Sequence, residues 1–153
     1  MIQRGNIYFI SVDDRKVRGC EQKGYRPGII VSNNFANKNS PVVTAVFLTS
    51  KPKKSLPIHA EITSVPDLKN STALCEQVCC VSKDRVQRYI GKISQREMLQ
   101  VERGLSLQLG LGRYIALTIV RLIRDNRFVS TMVDVINRYF TQDAYEEIED
   151  EAG

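Results

Sequence analysis

The sequence predicts a mainly β fold of the α+β class, a small curled antiparallel sheet closed off by helix. Three observations predict it. Five or six short runs rich in β-branched and aromatic residues occupy the chain up to Ile93. Clusters of Gly, Asn, Pro and charged residues separate those runs, as turns require. Beyond them Ser94-Gln95-Arg96-Glu97 forms a capping box, after which apolar residues recur at helical spacing.

The elements follow in order. Ile7-Tyr8-Phe9-Ile10-Ser11-Val12 is a first strand, and residues 13–25 make a charged, glycine-bearing loop. Residues 28–32 are a short apolar run that fits a buried strand. Residues 33–41, with their asparagines, read as a turn-rich connection. Val42-Val43-Thr44-Ala45-Val46-Phe47-Leu48 is the strongest strand signal, and a loop carrying Lys51, Lys53 and Lys54 follows. Residues 59–62 and 72–78 read as further strands, separated by a polar linker containing Pro66. Residues 89–93 are a last short strand. In the helix that follows, Met98, Val101, Leu105 and Leu109 fall on one stripe, a core-packing pattern, and Gly110 and Gly112 are stop signals. Residues 115–123 and 128–140 are again apolar at helical spacing, broken by Asp125-Asn126, and six acids lie between Asp143 and Glu151.

A chain of 153 residues fits one compact domain with an appendage. Its 42% apolar and 25% charged residues belong to a globular protein and not to a disordered one. Met1-Ile2-Gln3-Arg4-Gly5 turns straight into a strand pattern with no secretory signal. The most apolar run, residues 114–123, is too short to span a bilayer and is interrupted by Arg121. A cytoplasmic location is therefore expected. There, the four cysteines (Cys20, Cys75, Cys79 and Cys80) make a disulfide framework unexpected. Their C-x3-C-C spacing is not a CxxC pair, and His59 is the single histidine, so no metal site is expected. Cys75 reads as a small buried apolar residue. Charge is uneven: residues 1–112 carry 17 Lys and Arg against 9 Asp and Glu, residues 113–153 carry 5 against 8. A basic body suits a polyanionic partner.

The most informative segment is Gly19-Cys20-Glu21-Gln22-Lys23-Gly24-Tyr25-Arg26-Pro27. It gathers a carboxylate, a carboxamide and a guanidinium in one loop between two strands. Other fragments accompany it in order: Arg4-Gly5-Asn6-Ile7-Tyr8, Val31-Ser32-Asn33-Asn34, Asn37 with Ser40-Pro41, and Leu48-Thr49-Ser50-Lys51. Then come Leu56-Pro57-Ile58-His59-Ala60-Glu61-Ile62, Leu74-Cys75-Glu76-Gln77-Val78 and Tyr89-Ile90-Gly91-Lys92-Ile93-Ser94. Over residues 4–112, about three quarters of the chain, this order resembles the MazF/PemK family of toxin endoribonucleases.

The resemblance implies an SH3-like barrel of the MazF/PemK/CcdB type, usually a homodimer with a groove across both subunits. It implies an RNase domain over residues 1–112 and leaves 113–153 as an unmatched helical extension with an acidic tail. It implies a toxin that cuts single-stranded RNA sequence-selectively without metal or other cofactor, leaving a 2′,3′-cyclic phosphate and a 5′-OH. It also implies an antitoxin partner whose acidic tail lies in the groove and with which the toxin binds DNA. The alternative is a non-catalytic binding protein on the same fold, gyrase-poison-like or RNA-binding.

Metal-free cleavage sets three tasks: deprotonating the 2′-OH, stabilising the phosphorane and protonating the leaving 5′-oxygen. Arg26 suits the phosphorane, because its planar fork matches two phosphate oxygens and it stays protonated; Pro27 fixes the backbone behind it. Thr49, where the resemblance places a second essential residue, can donate its hydroxyl to a phosphate oxygen. Glu21 fits two roles equally, base for the 2′-OH or partner that orients Arg26. Gln22, Ser50, Lys51, Lys53, Lys54, Glu76 and Gln77 are the candidate RNA contacts, the amides and carboxylates on base edges and the lysines on phosphates. Lys53 and Lys54 fit a solvated loop as well. Tyr25 fits base stacking or rim packing, and His59 fits a hydrogen-bonded strand end better than a direct role. Where relatives often continue with Arg-Thr after the acid–Gln pair, this chain has Cys79-Cys80. The acidic end fits either an added helical pair at a dimer contact with a loose tail, or a segment folded over the basic groove in cis.

Overall fold

The computed structural model describes residues 1–12 and 24–124, together with 130, 133 and 134. Six antiparallel strands form one sheet: β1 (Asn6–Val12), β2 (Gly24–Ile30), β3 (Val42–Thr49), β4 (His59–Ile62), β5 (Ser71–Ser82) and β6 (Val86–Lys92), in the spatial order β4-β5-β3-β2-β1-β6. Helix α1 (Asn34–Asn39) lies between β2 and β3, and α2 (Gln95–Gln108) follows β6. Contacts divide the chain into two units, Met1–Gly110 and Leu111–Gly153. The second unit contains α3 (Gly112–Arg124), on which Leu117, Ile119 and Val120 are exposed. Most of the expected helix at 128–140 and the whole acidic tail fall outside the described residues. Among the described residues no helix is long and apolar enough to cross a membrane.

Alternation along the strands builds two cores. On one face Ile7, Ile29, Val46, Leu48, Ala60, Ile62, Ala73 and Cys75 pack under α2, which contributes Val101, Met98 and Leu105. On the other face Tyr8, Ile10, Ile30, Val43, Ala45, Phe47 and Val81 form a second cluster. Each fully buried aliphatic among them contributes about 1.5–3 kcal/mol. The sheet curls until the segment after β4 meets β6: a Cβ built on Gly91 would lie 2.5 Å from Val65 Cγ1.

Several elements differ from their sequence-based bounds. β2 begins at Gly24, so Tyr25, Arg26 and Pro27 stand in a strand and not in the preceding loop. Pro27 is tolerated because β2 at that point is paired only with β1, the ladder to β3 starting at Gly28. Residues 34–39 are helical, not turn. Asn33 caps them, its Oδ1 accepting from Ala36 N–H at 2.7 Å. Buried Asn37 fastens the helix by accepting from Ser32 Oγ and donating to the Ser32 carbonyl. β5 runs on to Ser82 and β6 starts at Val86, because the β3–β5 ladder continues through Cys79 and Cys80 to the pair Val42–Ser82. In α2, Leu109 is exposed, since the helix ends at Gln108 and Gly110 turns away at φ +67°. Gly112 starts α3 instead of stopping α2.

The capping box does more than close a helix end. Ser94 accepts from Glu97 N–H, and Glu97 Oε2 accepts from Ser94 N–H at 3.0 Å. Buried Glu97 also accepts from Thr63 N–H at 2.7 Å, from Ser64 N–H at 2.9 Å and from the Ser64 hydroxyl. One carboxylate thus ties α2 to the segment after β4.

Candidate active site

Register places the two candidate catalytic groups. In β1–β2, Ile10 faces Arg26; in β2–β3, Gly28 faces Phe47. Continuing that register by two residues sets Arg26 level with Thr49, on the sheet face that carries Ile10, Gly28 and Phe47. Arg26 is exposed and Thr49 half-buried at the end of the ladder. Thr49 Oγ1 accepts from Lys51 N–H at 3.2 Å, which leaves its own proton to donate to a ligand. Ser50, Lys51, Lys53 and Lys54 continue directly from Thr49 in an exposed irregular segment. The sheet therefore brings a guanidinium and a hydroxyl to one end of one face, and the lysine-bearing segment leaves from that same end. Glu21 and Gln22 lie outside the described residues.

Glu76 and Gln77 occupy a kink. Val46 faces Val78 and Leu48 faces Ala73, so residues 74–77 stand opposite Phe47 alone. Such bulges re-aim side chains. Glu76 Oε1 lies 3.2 Å from His59 Nε2, and the His59 side chain is only 7% exposed. His59 Nδ1 is buried and has no partner, so a proton there would go unsatisfied. The arrangement fits the tautomer whose Nε2–H donates to Glu76. His59 is thus the hydrogen-bonded strand-end residue, with a job its sequence position did not reveal: it holds a candidate RNA contact. The signal available was only that His59 opens one strand and Glu76 lies within another.

Tyr25 points to the opposite face from Arg26. Its ring stacks on Phe9 at 4.8 Å and 5°, and Arg88 lies over Phe9 at 5.1 Å from the ring centre. Packing occupies one side of Tyr25, while 48% of the residue stays exposed. Beneath the sheet, burial and then the Glu76 charge raise the Cys75 thiol to about 11, which makes it inert, and burial raises Cys79 as well. Among the described residues no group of three or more His, Cys, Asp and Glu side chains could hold a metal ion.

Comparison with known proteins bears on what such a face does. The family of PemK-like, MazF-like toxins of type II toxin-antitoxin systems matches residues 3–109. The chain is 34% identical over 117 residues to the endoribonuclease MazF of Staphylococcus epidermidis, covering 74% of this chain and 96% of that one. In structure it is similar to a mycobacterial endoribonuclease solved with its cognate antitoxin, with TM-score 0.61, 25% identity, and 72% and 97% coverage. It is similar in fold to MazF from Deinococcus radiodurans, with TM-score 0.62, 18% identity, and 71% and 96% coverage. Since a family match over most of the sheet and α2 coincides with a relative spanned almost end to end, the chain belongs to the PemK-like, MazF-like toxin family of type II toxin-antitoxin systems.

Proposed function

We propose that this protein is an endoribonuclease toxin that cuts single-stranded RNA sequence-selectively, without a metal, by attack of the 2′-OH on the adjacent phosphate. A 2′,3′-cyclic phosphate and a 5′-OH are the products that chemistry leaves. The observation that carries the reading is the level placement of Arg26 and Thr49 on one sheet face. In this reading the Arg26 guanidinium takes the charge that builds on the phosphorane, where a preorganised donor acts most strongly. Thr49 donates its hydroxyl to a non-bridging oxygen. Glu21 either takes the 2′-OH proton or orients Arg26, and Gln22 contacts RNA beside it. Lys51, Lys53 and Lys54 hold flanking phosphates, while Ser50, Glu76 and Gln77 read bases. An antitoxin with an acidic segment, as a partner for the basic face, and a homodimer complete the reading. The mycobacterial relative solved with its antitoxin supports the first of these.

The test is incubation of purified protein with a long defined RNA in EDTA. Discrete cuts with cyclic-phosphate ends are expected, and Arg26→Ala should slow them about a hundred- to a thousandfold, by analogy with loss of one oxyanion donor. Absence of cuts by the wild-type protein would move it to the binding class on the same fold. Undiminished cutting by Arg26→Ala would end the assignment of that residue.

A further inference from the structure

The row that carries Arg26 and Thr49 continues across the sheet. Thr49 faces Thr72 on β5, and Thr72 faces Glu61 on β4. Opposed residues of neighbouring strands share a face, so Arg26, Thr49, Thr72 and Glu61 form one line over four strands. At ~4.8 Å per strand the line is about 14 Å long. Its polarity changes along the way, from a cation through two hydroxyls to a carboxylate. The side chains of Thr72 and Glu61 make no hydrogen bond or ion pair among the described residues.

Beyond that end, around the edge strand β4, Glu61 lines a hollow of about 350 Å³ shared with α2, whose other walls include Leu56, Pro57, His59, Gln100 and Arg103. That volume lies in the range of small-molecule pockets, about 300–1,000 Å³. Arg103 is exposed and, like Glu61, has no ion-pair partner among the described residues. The hollow thus offers an uncommitted acceptor, an uncommitted donor and apolar wall.

We infer that this hollow is a nucleobase subsite for a residue flanking the cut, and that it selects cytosine or adenine over uracil. A phosphate is repelled by Glu61, so the row grades from backbone binding at Arg26 to base reading at Glu61. Cytosine and adenine each present an exocyclic amino group beside a ring-nitrogen acceptor. The Glu61 carboxylate accepts from the amino group, the Arg103 guanidinium donates to the ring nitrogen, and Leu56 and Pro57 cover the ring. Uracil turns a carbonyl oxygen toward the carboxylate where cytosine has its amino group, and two acceptors then face each other.

The assignment of the scissile phosphate to Arg26 rests on the endoribonuclease reading, but base selection is measurable by binding alone. Arg26→Ala protein is titrated with fluorescent octacytidylate and octauridylate, which differ at the group in question. Octacytidylate should bind about fivefold tighter or more, the discrimination of one good polar base contact. Adding Glu61→Gln, an isosteric change at an exposed position, should bring the ratio close to one with an unchanged melting midpoint. Arg103→Ala should weaken octacytidylate more than octauridylate. Equal binding of the two RNAs by Arg26→Ala protein, or a ratio that survives both further substitutions, overturns the subsite. Cutting of long RNA by the wild-type protein reports on catalysis separately, so either idea can fail without the other.

Discussion

At the scale of single residues, Glu97 shows how one side chain serves two elements. Burial alone would raise its carboxyl, but hydrogen bonds from the Ser64 hydroxyl and from the Thr63, Ser94 and Ser64 N–H groups outweigh it and hold it down at about 2. Its folded value lies below the ordinary 4.5. The stabilisation is therefore complete above the unfolded value and is lost as pH falls from about 4.5 toward 2. Its upper size is about 3 kcal/mol at neutral pH. Urea unfolding at pH 7 and pH 3 should show a stability loss in the wild type that Glu97→Gln largely lacks, the variant being already weaker at pH 7. The same residue marks a limit of sequence reading. The capping box was legible from Ser94 and Glu97, because it is local. The bonds to Thr63 and Ser64 were not, because they join positions more than thirty residues apart. His59 and Glu76 repeat the lesson: each was visible alone, and their contact depends on how β4 meets the kink in β5.

At the scale of elements, α2 sits close enough to the sheet that only glycine fits at its nearest point. A Cβ on Gly104 would lie 2.7 Å from Cys75 Sγ and 2.7 Å from the Ile58 carbonyl oxygen, and the latter is backbone that cannot swing away. Gly104→Ala should cost about 1–3 kcal/mol through displacement of the helix, exceeding the ~1 kcal/mol that alanine returns in helix propensity. A lowered urea midpoint with unchanged slope checks this. The strong strands and α2 were readable because their apolar periods are unbroken. β2 was cut short in the reading because Gly24 and Pro27 look like turn residues, and only half-sided pairing allows them in a strand. Helix α1 was missed because its stability comes from Asn33, Asn37 and Ser32 side chains and not from an apolar stripe.

At the scale of the whole molecule, the basic surplus of residues 1–112 and the acidic surplus of 113–153 pull toward different partners. The curled sheet followed from strand count and turn spacing. The sequence leaves the acidic end two roles, a bystander of cleavage or a competitor of RNA in cis, and one deletion separates them. Deleting residues 141–153 should leave the cleavage rate and its salt dependence unchanged. A faster reaction that is more sensitive to salt would show instead that the tail competes with RNA for the basic face, because salt releases the tail as well as the RNA.

The kink at residues 74–77 has one more implication. Ladders on either side of it are pinned independently, Val42–Ser82 to Val46–Val78 before it and Leu48–Ala73 with Thr49–Thr72 after it. With four residues opposite one, a change of length here leaves both ladders in register, as an expansion joint does. One glycine inserted between Glu76 and Gln77 should be absorbed with little change in melting temperature, whereas the same insertion between Thr44 and Ala45 would flip every later side chain of β3 and unfold the protein. On the proposed reading, in which Glu76 and Gln77 contact bases, lengthening or shortening this joint would retune RNA discrimination while Arg26 and Thr49 stay level.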